Sequence, residues 1–185
     1  MKKLLTVLGA VSLSVATGVT VVACTETPTK SSNEVHIMAK AFNAIVQKAL
    51  KENPVDPVAE GAAYNTSEIK KVIVSELKSY EQEFKEKGII FDDDNKNSYK
   101  STTEFSKLTD QEKENHQNYL ASVGYKENNI IVFVNEITIT ASLDNPTQIK
   151  VYLPRMNIVK YEKYLVLIND SKKITQSGTL IVKEK

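Results

Sequence analysis

Two hydrophobic periods, one after the other, predict an α+β fold: two to three amphipathic helices, then a mostly antiparallel sheet of about four to five strands. Apolar residues recur at three- and four-residue steps from Val35 to Phe84. After Asn129 the period falls to two, and turn-forming residues cut that region into short runs. Residues 35–185 therefore read as one α+β domain, and what precedes them is a different kind of segment.

Lys2 and Lys3 open the chain, and the 19 residues from Leu4 to Val22 carry no charge. Val21, Val22 and Ala23 lead into Cys24, the single cysteine, and the polar run Thr25–Pro28 follows at once. A small residue directly before a cysteine at the end of an apolar run reads as a lipoprotein signal. Residues 1–23 are then a cleaved signal peptide, Cys24 carries diacylglycerol on its sulfur, and residues 24–34 form the lipidated cysteine and a flexible tether. Two other readings exist, an uncleaved helical anchor, for which the run is long enough, and an ordinary secretion signal. Gly9 and Gly18 dilute the run, and the placement of the thiol favours lipidation. At about 0.8 kcal/mol per buried CH₂, two acyl chains contribute on the order of 20 kcal/mol of insertion. The protein is expected at the cell membrane, facing outward.

Loss of Lys2 and Lys3 with the signal takes the formal charge from +1 to −1. Such a chain has no broad electrostatic claim on nucleic acid. All but one of its 24 basic residues are lysine, the exception being Arg155, so bidentate grips on phosphate or carboxylate are scarce. With Cys24 acylated no thiol remains for a disulfide, and burial alone must hold the domain together.

The first helix is expected from Val35, with Met38, Phe42, Ile45, Val46 and Ala49 on its buried stripe and His36, Lys40, Asn43, Gln47 and Lys51 opposite. It ends at Asn53-Pro54, because a residue before proline is pushed out of the α region. Asn65 with Glu68 resembles a capping box for a second helix, whose stripe is Ile69, Val72, Ile73, Leu77, Tyr80 and Phe84 and whose stop is Gly88. Ile89, Ile90 and Phe91 read as a brief strand. A polar segment runs to about Lys107. Thr109 and Glu112 form a T-x-x-E box that opens a third helix with a thin apolar face, which His116 shares.

Residues 130–141 are expected to place Ile131, Phe133, Ile137, Ile139 and Ala141 on one face, interrupted by Asn135 as at a bulge. Ser142 to Pro146 is turn chemistry. Ile149, Val151 and Leu153 alternate until Pro154, which suits an edge or a break. Met156–Val159, Leu165–Ile168 and Thr179–Val182 supply the remaining strands, with Ser177-Gly178 as punctuation.

Three patterns bear on chemistry. Asp93, Asn95, Asn97 and Glu104 stand at positions 1, 3, 5 and 12 of a calcium loop, with Ser101 at 9. Ser98 replaces the glycine of the sharp turn and Lys100 intrudes, so a solvated Asp/Asn loop without Ca²⁺ is the expectation and no cofactor is assigned. Tyr152, Tyr161 and Tyr164 fall near Lys150, Arg155, Lys160 and Lys163, as ligand-binding aromatics for a host protein or glycan or as cross-strand pairs of a half-exposed sheet. Catalytic motifs are missing: there is no G-x-S-x-G, H-E-x-x-H, G-x-G-x-x-G or Walker loop, and an enzyme is not expected.

The chain resembles spiralin and related surface lipoproteins of wall-less, AT-rich bacteria. The resemblance rests on Met1-Lys2-Lys3-Leu4-Leu5, on Val21-Val22-Ala23-Cys24, on a helix over Asn65 to Leu77, and on Ile149-Lys150-Val151-Tyr152-Leu153-Pro154 in the sheet region. It implies a lipid-anchored coat protein whose relatives bind host surfaces, and it carries over Cys24 alone. The expected function is coating or adhesion without catalysis. The alternative is the solute-binding lipoprotein of an importer, which normally needs two lobes around a cleft.

Overall fold

A computed structural model describes residues 32–92, 102–122, 124–161, 163–168 and 172–184. Among them are five α-helices and a six-stranded mixed sheet, mostly antiparallel, with most of the helices ahead of the sheet. The α+β order read from the periodicities holds.

Helix α1 (Ser32–Glu52) begins three residues before the apolar stripe, so Ser32, Asn33 and Glu34 belong to the helix and not to the tether. Met38, Phe42, Ile45, Val46 and Ala49 are buried as expected, and His36 is exposed. Helix α2 (Ser67–Ser79) lacks the capping box expected of Asn65 and Glu68. The Asn65 Oδ1 accepts from the Ser67 amide at 3.0 Å, one turn position too early, and Glu68 pairs with Lys71 instead. The expected second helix is also split. The Ser79 hydroxyl donates to the Glu76 carbonyl at 2.7 Å and the Tyr80 amide to Leu77 at 3.0 Å, which tightens the last turn. A short helix α3 (Glu81–Glu86) then restarts, and Phe84 is fully buried. Gly88, at φ +78°, ends it, and a Cβ there would come within 2.6 Å of Asn129 Nδ2.

Strand β1 (Ile89–Phe91) pairs in parallel with β2 (Ile130–Val132). Between them lie α4 (Thr102–Ser106), which the polar composition of this stretch concealed, and α5 (Asp110–Ser122). The T-x-x-E box at the start of α5 is formed: Glu112 Oε2 accepts from the Thr109 amide at 2.8 Å, and the Glu112 amide donates back to Thr109 Oγ1 at 3.3 Å.

The run from 130 to 141 is not one strand. A 3₁₀ turn (Val134–Glu136) separates β2 from β3 (Thr138–Ala141) and shifts the phase. Ile131 and Phe133 therefore face a second core with Leu120, Tyr125, Met156 and Ile158, whereas Ile130, Val132 and Ile137 enter the main core under α1 and α2. Ala141 is exposed.

Strand β4 (Gln148–Tyr161) is the central spine and passes straight through Pro154, where an edge strand or a break was expected. One flank takes β3 and β2; the other takes β6 (Lys173–Thr179) and β5 (Tyr164–Ile168). Proline removes a ladder donor, but the donor is not missed here. Phe133 donates to the Pro154 carbonyl at 3.0 Å, and the Phe133 carbonyl that would have accepted in return already takes the Glu136 amide of the 3₁₀ turn at 3.1 Å. Ser177 and Gly178 lie inside β6 and are not a turn.

Candidate functional site

An open groove of about 620 Å³ runs along α2, lined by Ser67, Lys70, Lys71, Val74, Ser75, Lys78 and Asn135. Its placement follows from the helical period. Ile69, Ile73 and Leu77 point into the core, so Lys70, Val74 and Lys78, each four residues apart, share a row on the outer flank. The 3₁₀ turn supplies the facing wall through Asn135. Lys71 is held by Glu68 at 3.3 Å on the exposed surface, a pairing that contributes little. Lys70 and Lys78 stand about 12 Å apart along the axis by helical rise, with Val74 as an apolar floor between them. Such an arrangement suits an extended acidic ligand: ammonium groups for the charges, and hydroxyl and amide groups for sugar-like hydroxyls.

Lys70, Lys71 and Lys78 belong to no recognisable motif and were passed over in the sequence. Asn135 joins them only through the fold. The legible signal was the Lys-x-x-x-Val-x-x-x-Lys row, which sets a cation on either side of an apolar residue.

The three tyrosines do not form one surface. Tyr161 and Tyr164 face each other across the β4–β5 hairpin, and their ring centroids lie 6.1 and 5.8 Å from that of Phe105 of α4 in edge-to-face arrangements. Phe105 is fully buried and Tyr164 is only 4% exposed, which removes Tyr164 from the candidate ligand-binding set. His116 of α5 stacks 5.6 Å from the same phenyl ring, at the edge of this small core. Edge-to-face contacts of this kind stabilise packing beyond the area buried. Tyr152 stands apart, about 30 Å along the strand from Tyr161 at the usual rise, with the Lys173 ammonium 5.4 Å above its ring.

Arg155, expected among the surface cations, is buried at 7% exposure and donates to Asn157 Oδ1 at 2.7 Å within β4. On the opposite face of the sheet the Tyr125 hydroxyl donates to Asp92 Oδ2 at 3.4 Å. Burial, and next the nearby Asp92 charge, raise the Tyr125 phenol well above its ordinary value of 10.0.

Asp93, Asn95 and Asn97 of the calcium-loop pattern lie outside the described residues, as does Cys24 with its signal. Glu104 is exposed on α4. Among the described residues no three His, Cys, Asp or Glu side chains gather as a metal site, and no helix is long and apolar enough to cross a membrane. No protein-family model matches the chain, and neither a curated protein nor a solved structure matches it significantly.

Proposed function

We infer that this chain is a lipid-anchored surface protein, related to the spiralin-like lipoproteins, which coats the cell or adheres to acidic molecules on a host surface. The carrying observation is the uncharged run closed by Ala23 and Cys24 and followed by polar residues. Thr25 to Ser31, seven residues, separate Cys24 from the start of α1. Seven residues reach at most about 25 Å, so the folded domain is held close to the lipid. The groove along α2 supports the adhesive half of the reading, because its cations flank an apolar floor and polar side chains that suit a sulfated or carboxylated glycan. No cofactor is part of this reading.

The test uses the full chain expressed in a lipidating bacterium. The protein is expected in the detergent phase after phase separation, and Cys24→Ser is expected to leave it. Heparin serves as the acidic probe: salt-sensitive retention is expected, and Lys70→Gln with Lys78→Gln should reduce it several-fold while the fold survives. A Cys24→Ser protein that still partitions with detergent overturns the anchor. Retention unchanged in the lysine variant overturns the groove.

A further inference from the structure

The exposed edges of the sheet are treated unequally. At β5 the Gln117 side chain accepts the Leu165 amide at 2.5 Å, and at β6 the Gln47 amide caps the Ser177 carbonyl at 3.0 Å. Among the described residues β3 pairs with β4 alone and receives no such cap. The ladder phase tells which groups are left over. Ser142 donates to the Gln148 carbonyl at 2.8 Å, and Thr140 stands opposite Lys150 and Thr138 opposite Tyr152, so these residues turn their backbone toward β4. The N–H and C=O of Ile139 and Ala141 consequently point outward. No lysine, proline or bulge protects the stretch Thr138-Ile139-Thr140-Ala141, although these are the usual safeguards of an edge.

We propose that β3 is a self-pairing edge: two copies of this chain join antiparallel about a two-fold axis at Thr140, which continues the sheet from one molecule into the next. Within β3 this register uses all the outward groups, whereas one centred on Ala141 would need Leu143, beyond the end of the strand. Ile139 meets the partner's Ala141 in a hydrogen-bonded pair on each side of the axis, giving four main-chain bonds. Thr140 meets the partner's Thr140 in the closer, non-hydrogen-bonded position, and Thr138 meets the partner's Ser142, both favourable hydroxyl pairs. A register centred on Ile139 would need the Ile137 amide, which already donates to Val134 at 3.4 Å. Leu143, at 101% exposure the most exposed large apolar side chain among the described residues, is carried toward the partner's end of the strand.

About five residues a side is a fraction of the roughly 20–30 residues a side that a stable complex uses. Pairing is therefore weak between free molecules. It becomes populated where the copies share one surface, because confinement raises the effective concentration. That second half rests on the anchored reading above.

Thr140→Cys provides the test, since a non-hydrogen-bonded antiparallel pair brings its Cα atoms to about 4.5 Å, within disulfide range. The full chain carrying Thr140→Cys is oxidised in cell membranes, and again in detergent as its concentration rises from about micromolar to millimolar. Peptide mass spectrometry identifies a disulfide between the two introduced thiols apart from any linkage at Cys24. A self-linked dimer is expected in membranes and at the high end of the detergent series. Ile139→Cys alone should not self-link, whereas a mixture of Ile139→Cys and Ala141→Cys proteins should link to each other. Thr140→Lys, at an exposed position, should abolish recovery of the mixed linkage while leaving the melting temperature within a few degrees. No Thr140→Cys linkage at millimolar concentration in detergent overturns the pairing, whatever the anchor does. Self-linkage at Ile139→Cys as strong as at Thr140→Cys overturns the register. Linkage in concentrated detergent together with a membrane fraction empty of the protein overturns the anchor alone.

Discussion

Gly178 offers a test of how α1 is seated on the sheet. It lies inside β6, and its backbone is not in the left-handed region, so the glycine is there for space and not for conformation. A Cβ at this position would overlap Leu50 Cδ1, and Leu50 is only 3% exposed in the main core. Two further contacts fix the helix in that place: Gln176 donates to the Ala39 carbonyl at 3.2 Å and Gln47 to the Ser177 carbonyl at 3.0 Å. Gly178→Ala therefore sets two effects against each other. Reduced freedom of the unfolded chain would stabilise by about 0.4–1 kcal/mol, whereas overpacking against a buried leucine costs about 1–3 kcal/mol. The net expectation is a loss of about 1–2 kcal/mol, or roughly 2–8 °C for a domain of this size. Leu50→Ala alone should cost about 2–5 kcal/mol by opening a cavity. In the double variant the new methyl enters that cavity, so only the entropic gain remains and the second substitution becomes neutral or stabilising. Urea unfolding of the four proteins measures the coupling, expected at about 1–3 kcal/mol in the favourable direction. Equal effects of Gly178→Ala with and without Leu50 would refute the close approach.

Two further expectations follow from buried or capping groups. The Tyr125 phenol is held protonated above its ordinary 10.0 in the folded state, so its contribution is fully present below that pH and is lost as pH rises toward the folded value. Above about pH 10 the stability of the native protein should fall by about 1.4 kcal/mol per pH unit more steeply than that of Tyr125→Phe, as read by urea unfolding on either side of that pH. Thr109→Ala removes the Oγ1 acceptor of the Glu112 amide, while the residue-109 amide can still donate to Glu112, and should cost about 1 kcal/mol. Because Leu120 is the only fully buried side chain of α5, the loss should appear as faster amide exchange over residues 110–122 with β4 unaffected.

Much of the helical half was legible. The stripe of α1, the Gly88 stop and the Thr109–Glu112 box are local devices, and each is recognisable without knowing what packs against it. The sheet was harder because its peculiarities are reciprocal. Pro154 is tolerated only because a turn some twenty residues earlier has consumed the matching acceptor, and neither segment announces the other. Phe105 stands among Thr, Glu, Ser and Lys with Leu108 its one apolar neighbour nearby, too little for a periodicity to mark it as the centre of a small core. Arg155 looked like one more surface cation, but its position on the spine between two covered faces decides its burial. The groove was invisible for a similar reason: three lysines of α2 acquire a facing wall only when the 3₁₀ turn folds beside them.

β4 is the partner of four of the other five strands, and β6, which covers the first half of it, is synthesised after all the other strands. Until that last strand is available, Gln148 to Leu153 has β3 as its one ladder, and the main core lacks Ile174. The domain is thus a structure of late closure, rich in pairings between distant parts of the chain and correspondingly slow to commit. Under the anchored reading proposed above, the chain would cross the membrane as a thread, and such delay would then keep it competent for passage until the final ladder arrives.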